Sequence, residues 1–379
     1  MNFRRTLSVM RKEAWHILRD RRAFLLTIFA PVFLLLVMAY SFSVDIKNVA
    51  VAVMDHDRTP LSRRYLTGLS SSGDVIVRYM ATDYADIVRW LMTSQAKAAV
   101  IIPPGFEADL RAGREATMQV LVEGTDPNTA NTALLHIGGY TQRFAIHIVA
   151  ETMNRAGFPV DAATLMPVDL RLRTWYNPTL KAVIGFLPAL IGVVLGMPAV
   201  ATTLALVREK ERGTFEQLIV TPIRRSELVV GKLVPYMMSG LISVVLCAAL
   251  AVYWFGTPFR GNFLLYLLLS ADFFLASMGI ALIISTFTSS QQAAQVGAVL
   301  IFFFPGFFLS GIFYPLFSME PIMKMEAFMV PTTHYVLISR GVFLKGQGLT
   351  VLWPYATALL VMGLLFLGLA VLLFKKKLT

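Results

Sequence analysis

The sequence predicts a polytopic α-helical membrane protein with six transmembrane helices and an extracytoplasmic α/β domain inserted between the first two. Three observations predict it. Hydrophobic residues make up 56% of the 379 residues and charged ones only 15%, against about 45–50% and about 25% in a soluble globular domain. The apolar residues gather in six runs close to or beyond the ~18 that a membrane-crossing helix needs. The net charge of +11 is distributed along the chain as membrane topology requires. A mean hydropathy of +0.65 excludes intrinsic disorder. A basic excess on so apolar a chain does not make the basic face on a polar surface that nucleic-acid binding uses, so no nucleic-acid partner is expected. The one cysteine, Cys247, excludes an internal disulfide and a cysteine-based zinc site.

Residues 1–22 read as a cytoplasmic amphipathic helix. Phe3, Leu7, Met10, Ala14 and Ile17 recur at helical spacing, Arg4, Arg5, Arg11, Lys12 and Arg19 lie largely off that stripe, and Trp15 is an interfacial residue. Such a helix lies on the inner leaflet, in contact with membrane lipid, before the chain enters the bilayer. Residues 23–42 form the first span. Ala39-Tyr40-Ser41 has the small residues of a signal cleavage site, but the apolar run exceeds the ~7–15 residues of a signal core and is read as an uncleaved helix.

Residues 43–180 form the α/β domain. Strands are predicted at Val49–Met54, Val75–Tyr79, Ala98–Ile102, Met118–Val122 and Asp169–Trp175, with helices at Leu61–Leu69, Tyr84–Met92, Phe106–Arg111 and Asn128–Arg155. Strands alternating with helices predict a small, largely parallel sheet. Asp55-His56-Asp57 is read as a turn after a strand, with Thr59-Pro60 opening a helix, and no metal site is expected. Residues 181–379 carry the remaining spans at 182–207, 233–255, 263–287, 293–317 and 351–374, with the partly polar segment 316–344 between the last two.

The charges fix the orientation. The polar segment 45–178 holds 13 Lys+Arg and 14 Asp+Glu, close to neutral. Seven basic residues lie in residues 1–22, six between Arg208 and Lys232, and three at Lys375, Lys376 and Lys377. Six spans place those three segments on one side, while the other side's short segments hold only Lys181, Arg260, Lys324, Arg340 and Lys345. The basic excess marks the cytoplasmic side, which puts both termini inside and the α/β domain outside.

The loop 208–232 is the most informative stretch. Arg208-Glu-Lys-Glu-Arg-Gly213 is followed by Thr214-Phe-Glu-Gln-Leu-Ile-Val-Thr-Pro222. Thr214 and Gln217 can cap a two-turn helix that Pro222 stops, and Phe215, Leu218 and Ile219 then share one face. That face can pack on the membrane surface, on this chain's own helix ends, or in a groove of a soluble partner.

The pattern Arg-Glu-x-Glu-x-Gly-Thr-x-Glu-x-Leu-x-x-Thr-Pro from Arg208 to Pro222, with Glu227 and Gly231-Lys232 after it, resembles the coupling loop of type-2 ABC transporter permeases. Leu309-Ser-Gly-Ile-Phe-Tyr-Pro315, with Pro331-Thr-Thr-His-Tyr335 and Arg340-Gly341, is similar to that family's segment between the fifth and sixth spans. The order of elements is most similar to bacterial exporters with an external domain between the first two spans. The resemblance implies a multi-pass protein of the bacterial inner membrane whose 208–232 loop docks on a cytoplasmic ATPase subunit, with Glu209, Glu211, Gly213, Thr214, Phe215, Glu216, Leu218 and Pro222 as the coupling residues. It also implies a homodimer or a heterodimer with a sister permease.

The chain is not expected to be an enzyme or to bind a cofactor of its own. Its one Gly-Lys pair, Gly231-Lys232, has Ser226 where a Walker A loop needs its first glycine and Leu233 where it needs Ser or Thr. ATP and Mg would therefore sit on the partner ATPase. Asp272, roughly 13 Å inside the fourth span at 1.5 Å per residue, is the one charge in the spans and a candidate substrate-pathway residue. The expected function is export of a small or amphiphilic compound (drug-like, lipid or cation) from the cytoplasm or inner leaflet. The alternatives are an ion-coupled secondary transporter, for which repeats and several intramembrane charges are expected but not seen, and a membrane-anchored sensor with an external ligand-binding domain.

Overall fold

A computed structural model describes residues 3–42, 48–71, 73, 75–161, 165, 173–179, 181–213 and 224–373. The chain divides into two compact units, Met1–Val44 together with Arg173–Thr379, and Asp45–Leu172. The first unit opens with helix α1 (Phe3–Arg19), which ends at Asp20. The Asp20 carboxylate accepts the backbone N–H of Arg22 at 2.9 Å and of Ala23 at 3.4 Å and so caps α2 (Arg21–Phe42). A π-helical turn at Leu25–Phe29 interrupts α2. There Ser243, from a later helix, donates its hydroxyl to the Thr27 carbonyl at 2.6 Å. The face of α1 that is buried inside the unit adjoins the predicted stripe and shares Ile17 with it. Thr6, Val9, Glu13 and Ile17 are buried, whereas Phe3 and Leu7 are exposed. The stripe predicted the helix, and the face buried against the protein lies beside it and carries a charged side chain, Glu13.

The second unit is a four-stranded sheet of β1 (Val49–Asp55), β2 (Val75–Met80), β3 (Ala98–Ile102) and β4 (Gln119–Val122) in the order β2-β1-β3-β4. β1 runs parallel to β2 and to β3, and β4 is antiparallel to β3. Alternation along β1 sends Val49, Val51 and Val53 to one face. There they pack with Tyr65 and Leu69 of α3 (Pro60–Ser70) and, beyond α4 (Tyr84–Met92) and α5 (Phe106–Arg111) in the chain, with Ile137, Phe144 and Ile148 of α6 (Pro127–Arg155). Ala52 and Met54 face the other way, against Ile87 of α4. The helices start where the sequence has caps: Thr59 accepts the N–H of Ser62 with Pro60 in the first turn, and Asp126 accepts those of Asn128 and Thr129 with Pro127 behind it. Of the strand expected at 169–175, residues 169–172 lie outside the described residues, and residues 173–175 are not extended into a ladder.

The chain then returns to the first unit with α7 (Ala182–Glu211), α8 (Ser226–Trp254), α9 (Phe263–Phe287) and α10 (Gln291–Phe308). α11 (Pro321–Phe328), α12 (Pro331–Arg340) and α13 (Leu349–Leu373) complete it. With α2, five of these helices are long and apolar enough to cross a membrane, six in all. The 25 residues of α9 reach about 38 Å at 1.5 Å per residue, beyond the ~30 Å hydrocarbon core. The described chain is therefore mostly helical and polytopic. The fifth span is shorter than the predicted 293–317: α10 stops at Phe308, and Gly311 at a φ of +79° turns the chain away. Arg340, at the end of α12, donates to the Gly311 carbonyl at 2.8 Å and to the Gly185 carbonyl at 3.4 Å. α12 itself is buried against α7, with Ser339 donating to the Pro188 carbonyl at 2.6 Å. Gly311 and Ile312 are buried at this turn, while residues 313–315 beyond it are exposed.

Among the described residues, α9 and α13 share the most extensive helix contact. A Cβ on Gly279 would stand 2.7 Å from the Phe366 Cβ and 3.0 Å from the Leu367 nitrogen. A Cβ on Gly363 would stand 2.9 Å from Leu275. Small residues let membrane helices approach until their backbones touch. Gly279→Val should lower the melting temperature of the detergent-purified protein, with an overpacking cost of about 1–3 kcal/mol. Gly368→Ala, which meets no atom within 4 Å, should leave it unchanged.

Candidate functional site

The site is built where α7 ends. Gly213 follows the last turn at a φ of +67°, the left-handed conformation that glycine supplies at a helix C-terminus, and its N–H bonds the Lys210 carbonyl at 3.1 Å. The four residues before the closing turn, Arg208 to Glu211, point around the helix and between them reach four other helices.

Glu209 enters an ionic cluster. Its carboxylate receives the ammonium of Lys12 from α1 at 3.0 Å and that of Lys232 from α8. Lys232 also reaches Glu13 of α1 at 3.1 Å, and Lys12 lies 3.2 Å from the same Glu13 oxygen. The side chains of Lys232 and Glu13 are 5% and 3% exposed. Two cations and two anions sum to zero, which is the condition for holding charges out of water. Burial lowers the Lys12 pKa, but the Glu13 and Glu209 carboxylates outweigh it and hold that ammonium above its ordinary value. Lys12 is therefore charged at neutral pH.

Arg208 donates to Asp20 at 2.8 Å, at the joint of α1 and α2, and to the Gln291 side chain at 3.1 Å, at the start of α10. Glu211 accepts the backbone N–H of Gln291 at 2.6 Å and also its side-chain amide. A carboxylate is favoured there because the first N–H groups of a helix lack partners. Lys210 turns the other way and donates to the Ser285 carbonyl and, at 3.3 Å, to that of Thr286, at the last turn of α9, where carbonyls are unpaired. Residues 208–211 thus join α7 to α1, α8, α9 and α10. Across the loop, Glu227 accepts the Arg224 N–H at 3.0 Å and closes the first turn of α8.

Close packing holds the cluster in register. A Cβ on Gly231 would lie 2.7 Å from the Val9 Cβ and 3.3 Å from the Thr6 carbonyl. α1 therefore rests directly on α8, one residue from Lys232.

Of the residues singled out in the sequence, Glu209, Glu211 and Gly213 meet in this site. Thr214, Phe215, Glu216, Leu218 and Pro222 lie outside the described residues. Asp272 is elsewhere, partly buried in α9. In the α/β unit, the carboxylates around His56 are engaged in loops: Asp55 accepts the N–H groups of Asp57 and Arg58 at 3.0 Å. Asp57 accepts those of Gly105 at 2.8 Å and Glu107 at 3.1 Å. Burial works against the Asp57 charge, but the Thr59 hydroxyl and these N–H donors outweigh it and lower its pKa. Among the described residues no group of three or more His, Cys, Asp or Glu is placed to hold a metal.

Sequence reading missed Glu13, Lys12, Asp20 and Gln291. Glu13 carried a signal: it is the one acid within basic α1, and it falls four residues from both Val9 and Ile17. A charge on an apolar helical line asks for a buried partner. Gln291 carried none that a single sequence exposes.

Comparison with known proteins covers nearly the whole chain. A family profile described as "ABC-2 family transporter protein" matches residues 22–372. The chain is 28% identical over 381 residues to "Probable multidrug ABC transporter permease YbhS" of Escherichia coli (strain K12), covering 100% of this chain and 98% of that protein. It is 28% identical over 363 residues to "Inner membrane transport permease YhhJ" of the same strain, covering 90% and 92%. It is 23% identical over 310 residues to "ABC transporter G family member 20" of Dictyostelium discoideum, covering 80% of this chain and 41% of that protein.

Two outcomes follow from the geometry. Lys232→Met should leave Glu13 buried beside only the half-exposed Lys12, at a cost of about 3–5 kcal/mol. The double variant Glu13→Met/Lys232→Met should recover much of the loss, read as melting temperatures in detergent. Asp20 is held below the ordinary carboxylate pKa: burial opposes its charge, but the N–H groups of Arg22 and Ala23 and the Arg208 guanidinium outweigh it. A depressed pKa gives stability that is present above the unfolded value of ~3.9 and is lost as pH falls through the folded one. Asp20→Asn should therefore melt below the parent protein at neutral pH, and the gap should close in acid.

Proposed function

This chain belongs to the ABC-2 transporter family, and from that premise we propose that it is the membrane permease of an ATP-driven exporter, energised by a separate cytoplasmic ATPase subunit. In this reading the basic segments face the cytoplasm, the α/β unit lies outside, and two permease subunits, identical or sister chains, flank the pathway. ATP and Mg act on the partner. The helix expected at 214–221 docks on that partner through Phe215, Leu218 and Ile219. The permease moves a small or amphiphilic compound outward from the cytoplasm or inner leaflet. The relatives named as multidrug permeases favour a drug-like substrate. Asp272, a carboxylate in an apolar helix, is the candidate pathway residue.

The observation that carries this reading is the fan of contacts from residues 208–211 to four other helices. A displacement imposed on the loop after Gly213 does not have to travel through a flexible hinge. Glu209 acts on α1 and α8, Lys210 on the end of α9, and Arg208 and Glu211 on the start of α10. An ion-coupled transporter or a sensor has no need for such joints at the base of the 208–232 loop, and family membership counts against both.

Phe215→Ala and Glu216→Ala should abolish substrate stimulation of ATP hydrolysis and cut transport, while the permease still reaches the membrane in normal amount. Loss of membrane assembly instead would remove the docking role. For orientation, Cys247 is buried and provides a silent background. A Glu115→Cys variant, in an exposed loop of the α/β unit, should react with a membrane-impermeant maleimide in intact cells. A Ser226→Cys variant should react only after the membrane is opened.

A further inference from the structure

α1 has two working faces. One carries Glu13 and lies on α8. The neighbouring one carries Leu7, Met10, Ala14 and Leu18 and forms, with Met238 and Ile242 of α8, the wall of a groove of about 480 Å³. The groove is also lined by Ile28, in the π-helical turn of α2. Its walls are almost wholly apolar, and one cation, Arg11, stands among them.

We propose that this groove binds an anionic phospholipid of the cytoplasmic leaflet, with an acyl chain along the apolar floor and the phosphate of the headgroup against Arg11. The proposal rests on the cytoplasmic placement of α1 given above. Depth argues for a lipid. Pro235, Met238 and Ile242 belong to the apolar part of α8, so the floor of the groove lies at the level of acyl chains, while α1 with its exposed Trp15 lies at the level of headgroups. The Arg19 guanidinium stacks 5.2 Å from the Trp15 ring, an arrangement suited to an interface.

Charge argues for an anionic headgroup. Residues 1–22 hold seven basic residues and two acids, Glu13 and Asp20. Both acids are already engaged, with Lys232 and Lys12 and with Arg208. Among the described residues, neither acid of this segment is therefore left to compete for the cation at the groove's edge. An occupant there bears on the helix whose other face carries Glu13, so a bound lipid supports the ionic cluster from behind.

The test is native mass spectrometry of the purified protein titrated with phosphatidylglycerol or with phosphatidylcholine. Phosphatidylglycerol should bind tighter. Arg11→Ala should weaken it by about fivefold, which is about 1 kcal/mol for one basic residue beside an anionic surface, and leave phosphatidylcholine unaffected. Ala14→Trp, which fills the groove, should remove both lipids, and Phe3→Ser, outside the groove, should remove neither. Melting temperatures equal to the parent's confirm that the variants fold. Equal binding of the two lipids, or retention of phosphatidylglycerol by Ala14→Trp, overturns the proposal. Displacement of the lipid by inorganic phosphate would overturn it in favour of a simple anion site. These readouts need no ATPase or substrate, so they fail or succeed independently of the coupling reading, and the maleimide reaction of Ser226→Cys checks the cytoplasmic placement separately.

Discussion

Lys232 is the fixed point of the membrane unit. Its ammonium is buried between Glu13 and Glu209, carboxylates that come from helices far apart in sequence. A buried cation is tolerated only while its partners stay in place, so its two contacts tie α1, α7 and α8 to a single geometry. Apolar packing alone would not do this. In a bilayer, helices gain little from burying apolar surface against each other rather than against lipid, and packing, small residues and polar contacts set the register. Here the small residue and the polar contact are neighbours, Gly231 and Lys232. The first lets the backbones of α1 and α8 meet, and the second locks the place where they do.

The rest of the unit follows the same division. Midway along the helices the contacts are apolar or hydroxyl-mediated, as in the Ser270–Tyr335 bond of 2.7 Å. At the end that carries the 208–232 loop they are ionic. Helix termini leave N–H and C=O groups unpaired, and the charged run of α7 is placed to use them: Lys210 on the carbonyls ending α9, Glu211 on the N–H starting α10. A run of alternating charges that resembles a solvated helix end is in fact a set of joints. The α/β unit shows the contrasting use of charge, where Asp55 and Asp57 spend their oxygens on the turns that hold its own loops.

Much of this was legible in the sequence because it depends on period, length and caps. The spans followed from runs of apolar residues. The strands at 49–54, 75–79 and 98–102 and the helices after Thr59 and Asp126 followed from β-branched runs and capping residues. Three things were not legible. The face of α1 buried against α8 was not foreseen because a stripe of Phe, Leu and Met is the stronger pattern, while Thr6, Val9 and Glu13 face α8. The end of the fifth span was placed too late because Phe313 and Phe317 continue the apolar run past Gly311, whose backbone conformation ends it. The ionic cluster was not foreseen because its members are distant along the chain, and only the fold brings Lys12, Glu13, Glu209 and Lys232 together.

Tied by Lys232 and Gly231, α1 and α8 should move as one body around the loop. Spin labels at Ser8 and Ser226, both exposed, in protein assembled with the proposed ATPase subunit, measure it directly by pulsed electron–electron distance spectroscopy. One narrow distance distribution is expected, the same without nucleotide and in an ATP-trapped state, that broadens in the Lys232→Met background. A distance that shifts or splits between the two nucleotide states in the parent protein would show that α1 and α8 separate during the cycle and would contradict it.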